Sequence, residues 1–377
     1  MTTTNENLSG TVVVIGGGVV GCFLAYRLAS EGVSVTLVEQ EGPGAGATGN
    51  SAGNIQPGSG DDDTYKIALG AESLSIWRNQ LPRIKETGKI DYLEQDVRYL
   101  YAATNDQEEQ ISRQILSDLN AAGLKAEWVD GPTARKIEPR LSDSIIGGAF
   151  HQDCIQMDPK LFMAALAHAA ESEGVRILRR SPAVGLSISG DRVSSVALQD
   201  GNYLECSSVV LATGAWTPQV LSEWLGYNLP VVPHGLQKIH INLGSADPLN
   251  CAVRWNSVNI VCRRDGLVHA GSKFDPAGFD TKPTNDVRDW LLDQVGTIVP
   301  GLQPLGVETI AAFAASTPNR IPLVGQLPGT DGVYLAVPST DGFLMSALLA
   351  DMTTKLMVNG QIHQLIQKSP LAQAKPR

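Results

Sequence analysis

The chain has 377 residues, 43% of them hydrophobic, and a formal charge of −10. That length and apolar content can bury a large core and suit two domains; no basic block exceeds the pairs Arg179-Arg180 and Arg263-Arg264, which argues against a nucleic-acid partner. No apolar run is long enough to span a bilayer and MTTTNENLSG lacks the segments of a signal peptide, so no integral membrane segment and a cytoplasmic setting are expected.

The first predicted element is an apolar, β-branched strand over Thr11–Ile15, the pattern of a buried parallel strand. Gly16-x-Gly18-x-x-Gly21 follows at once, then an amphipathic helix from Val19 to Ser30, closed by Gly32. A second strand runs over Val33–Val38, with Glu39 at its end. In such a unit Gly16 permits the tight turn, Gly18 the approach of a pyrophosphate, and Gly21 the packing of helix on strand. Glu39 is placed to accept from a ribose 2′-hydroxyl, and its charge disfavours a 2′-phosphate. An ordinary glycine-rich turn would not need all three glycines and the acid, so the unit points to a dinucleotide. Cys22 reads as a small buried residue beside Gly21. With Cys154, Cys206, Cys251 and Cys262 it lacks any CxxC pairing, which suggests reduced thiols and no metal site.

Glu41–Gly60 is dense in Gly, Ala and Ser, suiting a loop that lies against a flat ligand. Within it, Thr48, Gly49, Asn50, Ser51 and Ala52 read as a turn and helix start facing a phosphate or flavin. The acidic run Asp61–Asp63 reads as a solvated loop. Ser181–Glu205 alternates like hairpin strands, turning at Gly190-Asp191 and Asp200-Gly201. It feeds an apolar strand that ends in Ala212-Thr213-Gly214-Ala215, a second cofactor contact. Near the C-terminus a strand over Val333–Val337 precedes a helix starting at Asp341-Gly342, whose N–H groups could stabilise negative charge. These residues alone leave flavin and NAD both open.

The three segments, in this order, resemble the D-amino-acid oxidase/dehydrogenase family of FAD enzymes, which includes glycine and sarcosine oxidases. GNSAGNIQPG and Leu267–Pro283 carry the closest echoes, and nearly the whole chain is covered. The resemblance implies an α/β fold with non-covalent FAD on a Rossmann-like domain and a second, substrate domain built on a mixed β-sheet. The FAD domain would comprise residues 1–60, 145–225 and 310–377, and the substrate domain 61–144 and 226–309. It further implies that Gly16, Gly18 and Gly21 hold the pyrophosphate and that Glu39 and Gln40 meet the adenosine ribose. Thr48, Asn50, Ser51 and Ala52 would run along pyrophosphate and flavin, and Val184 would touch adenine through its backbone. Thr213, Gly214 and Trp216 would flank the cofactor, with Asp341, Gly342, Phe343 and Leu344 at the pyrimidine edge of the ring.

The reaction implied is oxidation of a C–N bond in an amine or amino-acid derivative to an imine, with a small-molecule substrate. The family's carboxylate-binding arginine falls at Ala314, and its Gly-His-x-x-x-Gly turn at Pro338–Phe343. Simple D-amino acids are therefore expected to be poor substrates. A carboxylate would need another arginine, among Arg98, Arg254, Arg263, Arg264 and Arg320, or the substrate lacks an α-carboxylate. His269 falls where sarcosine oxidases carry an oxygen-assisting lysine, and Lys273 is the other cation nearby; these two are the catalytic candidates. His240 shares the inward alternation with His269. Tyr92, Tyr99, Tyr101 and Trp255 are expected on substrate-domain strands, with Tyr99 and Trp255 as pocket walls and Arg320 as a substrate contact. Two rivals remain: a flavoprotein subunit relaying electrons for a partner chain, and a flavin enzyme acting on a non-amine. Homo-oligomers are open.

Overall fold

A computed structural model of the chain describes residues 10–58, 64–243, 249–275, 278–279, 282–302, 304–317 and 320–375, without the side chains of 273–275 and 373. The acidic run Asp61–Asp63 lies outside them. In chain order, β1 (Val12–Ile15), α1 (Val19–Ser30), β2 (Val35–Val38) and β3 (Asn54–Ile55) lead into the long α2 (Thr64–Gly88). Then come β4 (Gln95–Ala103), α3 (Asp106–Ala121), β5 (Ala126–Asp130), α4 (Gly131–Ile137), β6 (Gly147–Gln156) and α5 (Pro159–Ser172). Next are β7 (Arg176–Leu178), β8 (Ala183–Ser189), β9 (Arg192–Leu198), β10 (Tyr203–Glu205), β11 (Ser208–Leu211) and α6 (Thr217–Leu225). The strands β12 (Val232–Asn242), β13 (Ala252–Trp255), β14 (Val258–Cys262) and β15 (Leu267–Asp275) precede α7 (Asn285–Ile298). The chain finishes with β16 (Gly306–Ser316), β17 (Leu323–Gln326), β18 (Val333–Val337), α8 (Gly342–Asn359) and α9 (Gln364–Lys368).

The all-apolar runs of β1, β2, β11 and β18 form one sheet, ordered β17-β18-β11-β1-β2-β7 and parallel except at the β17 edge. Strands buried on both faces must be covered on both. One side packs on α1, α5, α8 and α2 through Leu24, Trp77, Phe162 and Leu348. The other packs on the small β10-β9-β8 sheet and α6 through Val196, Leu211 and Leu221. The predicted hairpin is thus a three-stranded sheet, with left-handed Gly190 and Gly201 at its turns.

A second, mixed sheet runs β16-β12-β15-β14-β13-β4-β6-β3, with β5 also on β6. Strand alternation gives it two distinct faces. On the outer face Ile239, Ile241, Ile260 and Val268 meet Leu291 and Val295 of α7. On the inner face Tyr99, Tyr101 and Ala149 meet Ile115 and Leu119 of α3 at one end. The inner face at the β12/β16 end instead borders the first sheet's carboxyl edge. β6 and most of β16, grouped with the FAD segments from sequence, are hydrogen-bonded into this second sheet.

Two local expectations need correcting. Residues 44–50 form successive turns and no helix starts there. Gly42, Gly44, Gly46 and Gly49 each disfavour a helix by about 1 kcal/mol relative to alanine, and Gly44 and Gly53 sit at positive φ. Tyr92 lies on the connection between α2 and β4, not on a strand, packed edge-on against Phe162 with its hydroxyl donating to Leu81 O (3.2 Å).

Candidate active site

The glycine turn after β1 is built as its spacing requires. Gly16 adopts φ +109°, and a Cβ there would lie 2.4 Å from Ala212 O. At Gly21 a Cβ would lie 1.9 Å from Gly16 O, so α1 can cross β1 only because that position is bare. Gly18 differs: its backbone is ordinary (φ −69°, ψ 177°), and a Cβ would find nothing nearer than Thr48 Oγ1 at 3.5 Å. Its missing side chain therefore leaves open space on the cleft side.

That space belongs to a cleft of about 390 Å³ between the two sheets. Of the cofactor residues expected from sequence, Gly16, Gly18, Glu39, Gln40, Thr48, Asn50, Ser51, Thr213, Gly214, Trp216, Gly342 and Phe343 line it. Gly21 lies behind the wall as the packing glycine. Ala52 hands its carbonyl to Gln156 Nε2 (3.0 Å) just past the lining loop. Val184 is about half exposed next to Ala183, which does line the cleft. Asp341 and Leu344 border a separate recess of about 30 Å³, together with Arg320.

The cleft walls are held by hydrogen bonds from distant segments. Glu39 accepts the N–H of Gly17 (2.6 Å) and of Glu41 (2.9 Å), fixing its carboxylate at the nucleotide end. Thr48 Oγ1 accepts Val19 N–H (3.1 Å), joining the glycine-rich loop to the first turn of α1. That turn contains no acidic side chain and Gly18 caps it without one, so it presents N–H groups to an anion. Gly214 is left-handed (φ +53°), with a Cβ position facing empty space. On the far side, Ser73 Oγ (2.6 Å) and Trp77 Nε1 (3.0 Å) both donate to Leu344 O. Trp77 also stacks on the cleft residue Phe343, with ring centroids 5.6 Å apart.

The other end of the cleft is apolar. Leu236 of β12 and Phe313, Ala314 and Ala315 of β16 form its wall. Trp216, Phe279 and Phe313 make a three-ring cluster there, with centroids 5.0–5.7 Å apart. Glu39, Glu41 and Glu223 are acidic, and among the described lining residues there is no lysine, arginine or histidine. Thr340, also on the wall, sits at φ +64°, a costly conformation for a β-branched residue.

The other sequence candidates whose side chains are described are not part of this wall. His269 is buried on β15, its ring 5.5 Å from that of His240 on β12; burial first, then Lys238, keeps His269 neutral. Lys273 lies on β15, and its side chain falls outside the described residues. Tyr99 is buried on the inner face and accepts from Asn54 Nδ2 (2.7 Å). Trp255 donates its indole N–H to Glu108 (3.0 Å). The arginines are engaged elsewhere: Arg98 on Asn250 O, Arg254 on Asn259, Arg263 on Asp158 and Asp265, and Arg264 on Asp91. All five cysteines are free thiols, and burial pushes the Cys22 thiol far up.

Sequence reasoning missed Pro182, Gln219, Glu223, Trp224, Leu236 and Phe313, which line the cleft. Gln219 and Glu223, and likewise Val220 and Trp224, are four residues apart on α6, and Leu236 shares the strand parity of His240, so periodicity carried part of that signal.

A parallel sheet with a GxGxxG turn, an acid at the end of its second strand and a cleft between it and a mixed sheet defines a two-sheet, dinucleotide-binding oxidoreductase. The chain belongs to the DAO family of FAD dependent oxidoreductases, whose family model matches residues 11–356. It is accordingly an FAD-dependent enzyme. It is 26% identical over 367 residues to a glycine oxidase of Pseudomonas aeruginosa, covering 93% of this chain and 94% of the relative. Similarity to the hydrogen cyanide synthase subunit HcnC of the same species is 23% over 396 residues, covering 95% and 93%. In fold the chain is similar to a glycine oxidase from Bacillus cereus (TM-score 0.85, 22% identity, 95% of this chain and 97% of that one). It is equally similar to L-proline dehydrogenase from P. horikoshii (TM-score 0.85, 22% identity, 95% of each chain).

Proposed function

We propose that this enzyme oxidises the C–N bond of an amine or amino-acid derivative to an imine, which water then hydrolyses. The observation that carries the reading is the two-ended cleft: a glycine turn and a helix start free of acidic side chains in its first turn at one end, an uncharged wall of Leu236, Phe313 and Ala314 at the other. Glycine oxidase and L-proline dehydrogenase, the named relatives, act at such a carbon. FAD supplies the two-electron acceptor for the hydride leaving the carbon beside nitrogen. The chain itself has three tasks: to hold the cofactor, to present that carbon, and to keep water from the ring.

Gly16, Gly18 and Gly21 with the α1 start would hold the pyrophosphate non-covalently, Glu39 and Gln40 the adenosine ribose, and the backbone near Ala183 and Val184 the adenine. Thr48, Asn50, Ser51 and Ala52 would run along one edge of the flavin, Thr213, Gly214 and Trp216 along another. Asp341–Leu344 would meet its pyrimidine side through the first turn of α8. The three-ring cluster would exclude water and grip an apolar part of the substrate. No protein base is required if the amine arrives neutral. We assign the FAD domain to 1–60, 145–225 and 310–377 and the substrate domain to 61–144 and 226–309, with the sheet pairing of β6 and β16 drawing those strands toward the latter. A cytoplasmic location belongs to the same proposal.

An anaerobic absorbance titration with a panel of amines and amino acids tests it. Bleaching of the flavin bands by an amine supports the reading, and readmitted oxygen separates oxidase from dehydrogenase. A panel that leaves the bands untouched refutes amine oxidation by the isolated chain. A second reading, a subunit needing a partner, is favoured by the likeness to HcnC, which is named as a subunit; turnover appearing only with a co-purified chain would establish it.

A further inference from the structure

Lys238 is 1% exposed, and its Nζ has no hydrogen-bond partner among the described residues. A buried ammonium without a counter-charge is costly, and groups perturbed in this way cluster at functional sites. Its position is specific. β12 alternates, with Gln237 and Ile239 turned to α7 and Leu236, Lys238 and His240 to the inner face. Leu236 is part of the cleft wall, so Lys238 stands one pleat, about 7 Å, further along the same surface.

The neighbourhood makes room for this lysine and leaves it unmatched. Gly271 of β15 lies opposite, and a Cβ there would come 2.6 Å from Lys238 Cβ. The groups that face it are His240 on its own strand, His269 on β15, Arg263 at the end of β14, and Lys160 at the start of α5. Both imidazoles are held neutral, and Arg263 already carries Asp158 and Asp265. Lys160 in turn borders the glycine-rich loop, its Cγ 3.5 Å from a Cβ at Gly49. Among the described residues the local field is therefore positive, and Asp158 and Asp265 are already engaged by Arg263. Burial, followed by Lys160 and Arg263, brings the Lys238 amine down to about 7.

We propose that Lys238 is the anion-binding residue of the substrate site, receiving the carboxylate of an amine substrate whose apolar part lies on Leu236, Phe313 and the ring cluster. This deepens the amine-oxidation reading and rests on it. Ala314 removes charge from the place where the resemblance puts an arginine; Lys238 supplies charge at a different depth and height on the same sheet. The preferred substrates are then amines whose carboxylate is offset from the reacting carbon or carried past an apolar body, not the smallest α-amino acids.

Proton linkage gives a signature that a structural lysine lacks. An anion binds the protonated amine, so affinity is constant below the pKa and falls about tenfold per pH unit above it. The test uses the FAD-loaded protein and two isosteric series, carboxylates and their neutral amides, with binding read from the flavin difference spectrum across the neutral range. We expect the wild type to bind carboxylates with this pH profile, and Lys238→Met to lose at least tenfold in carboxylate affinity and the profile with it, amide binding being unchanged. Lys238→Met removes an unmatched buried charge, so its melting temperature should not fall. Carboxylate binding with wild-type strength and pH profile in the variant overturns the proposal. So does binding of inorganic phosphate or chloride at the same lysine without competition from carboxylates. If amines bleach the flavin in both proteins, the oxidation reading stands while the lysine assignment falls; if none bleaches it in either, the reading itself has failed.

Discussion

Gly18 and Gly21 are both glycines of one motif, yet alanine should do opposite things at the two positions. At Gly18 the backbone is accessible to any residue, and the new Cβ meets only Thr48 Oγ1 at 3.5 Å, ordinary contact. The cofactor-free protein should gain about 0.4–1 kcal/mol through its less flexible unfolded chain. The same methyl occupies the open space that the pyrophosphate would fill. Overpacking of about 1–3 kcal/mol there corresponds to roughly 5- to 150-fold weaker FAD binding. At Gly21 the methyl would sit 1.9 Å from Gly16 O and 3.2 Å from Ala212 Cβ, so α1 must move off the sheet. That should cost ~3 kcal/mol or more before any cofactor is added. Urea unfolding of the cofactor-free proteins, paired with FAD titrations followed by flavin fluorescence, separates the two effects. Wild-type FAD affinity in Gly18→Ala, or equal destabilisation by the two substitutions, would refute the assignment of Gly18 to the ligand and Gly21 to packing.

Ser73→Ala removes a hydroxyl that donates to Leu344 O at 2.6 Å and accepts Leu348 N–H at 3.2 Å, and should cost about 1–3 kcal/mol in urea unfolding. Because Phe343 lines the cleft in the same turn of α8, bound FAD should restore part of that loss, which thermal melts with and without the cofactor can measure. Glu138 is fully buried; burial opposes its ionisation, but bonds from Arg140 Nε (2.7 Å) and Asn250 N–H (2.7 Å) outweigh it and hold the carboxyl below its usual range. A lowered folded value means the stabilisation is complete above the unfolded carboxyl pKa of about 4.3 and is lost as pH falls through the folded one. Glu138→Gln should therefore be less stable at neutral pH and show a shallower acid limb in a pH series of urea midpoints.

How much of this could be read beforehand differs by segment. The first βαβ unit was legible because its signals are local: β-branched residues for the strand, bare positions for the turn, an acid one strand later. The observed α1 begins and ends where the pattern placed it, and so does β18. The turn-rich loop after β2 was legible as a loop, and it lines the cleft, but its conformation was not, since the short polar and glycine residues there suit a helix start and consecutive turns alike. Lys238 went unnoticed although His240 and His269 were singled out by the same alternation. The two-residue period places all three on one face, but only the structure reveals that the lysine amine lacks a partner while the arginines have theirs. The ring cluster joins residues 216, 279 and 313, whose proximity depends on the pairing of β12 with β16 and is invisible to any local pattern.

The hold of Ser73 and Trp77 on Leu344 spans 271 and 267 positions of sequence. β1 pairs with β11 from the middle of the chain, and β11 in turn with β18 near its end. During synthesis, then, the glycine turn emerges early but has no completed wall to work against until α8 has left the ribosome. The nascent protein must keep the β1 edge from improper pairing while about 190 residues are added before β11, and the β11 edge for about 120 more before β18, intervals in which unpaired parallel strands invite aggregation. α8 packs on α1 and α2, and its first turn supplies Gly342 and Phe343 to the cleft wall. Completion of the cleft is thereby tied to the last part of the chain, and loss of α8 would forfeit its wall even with the whole glycine motif intact.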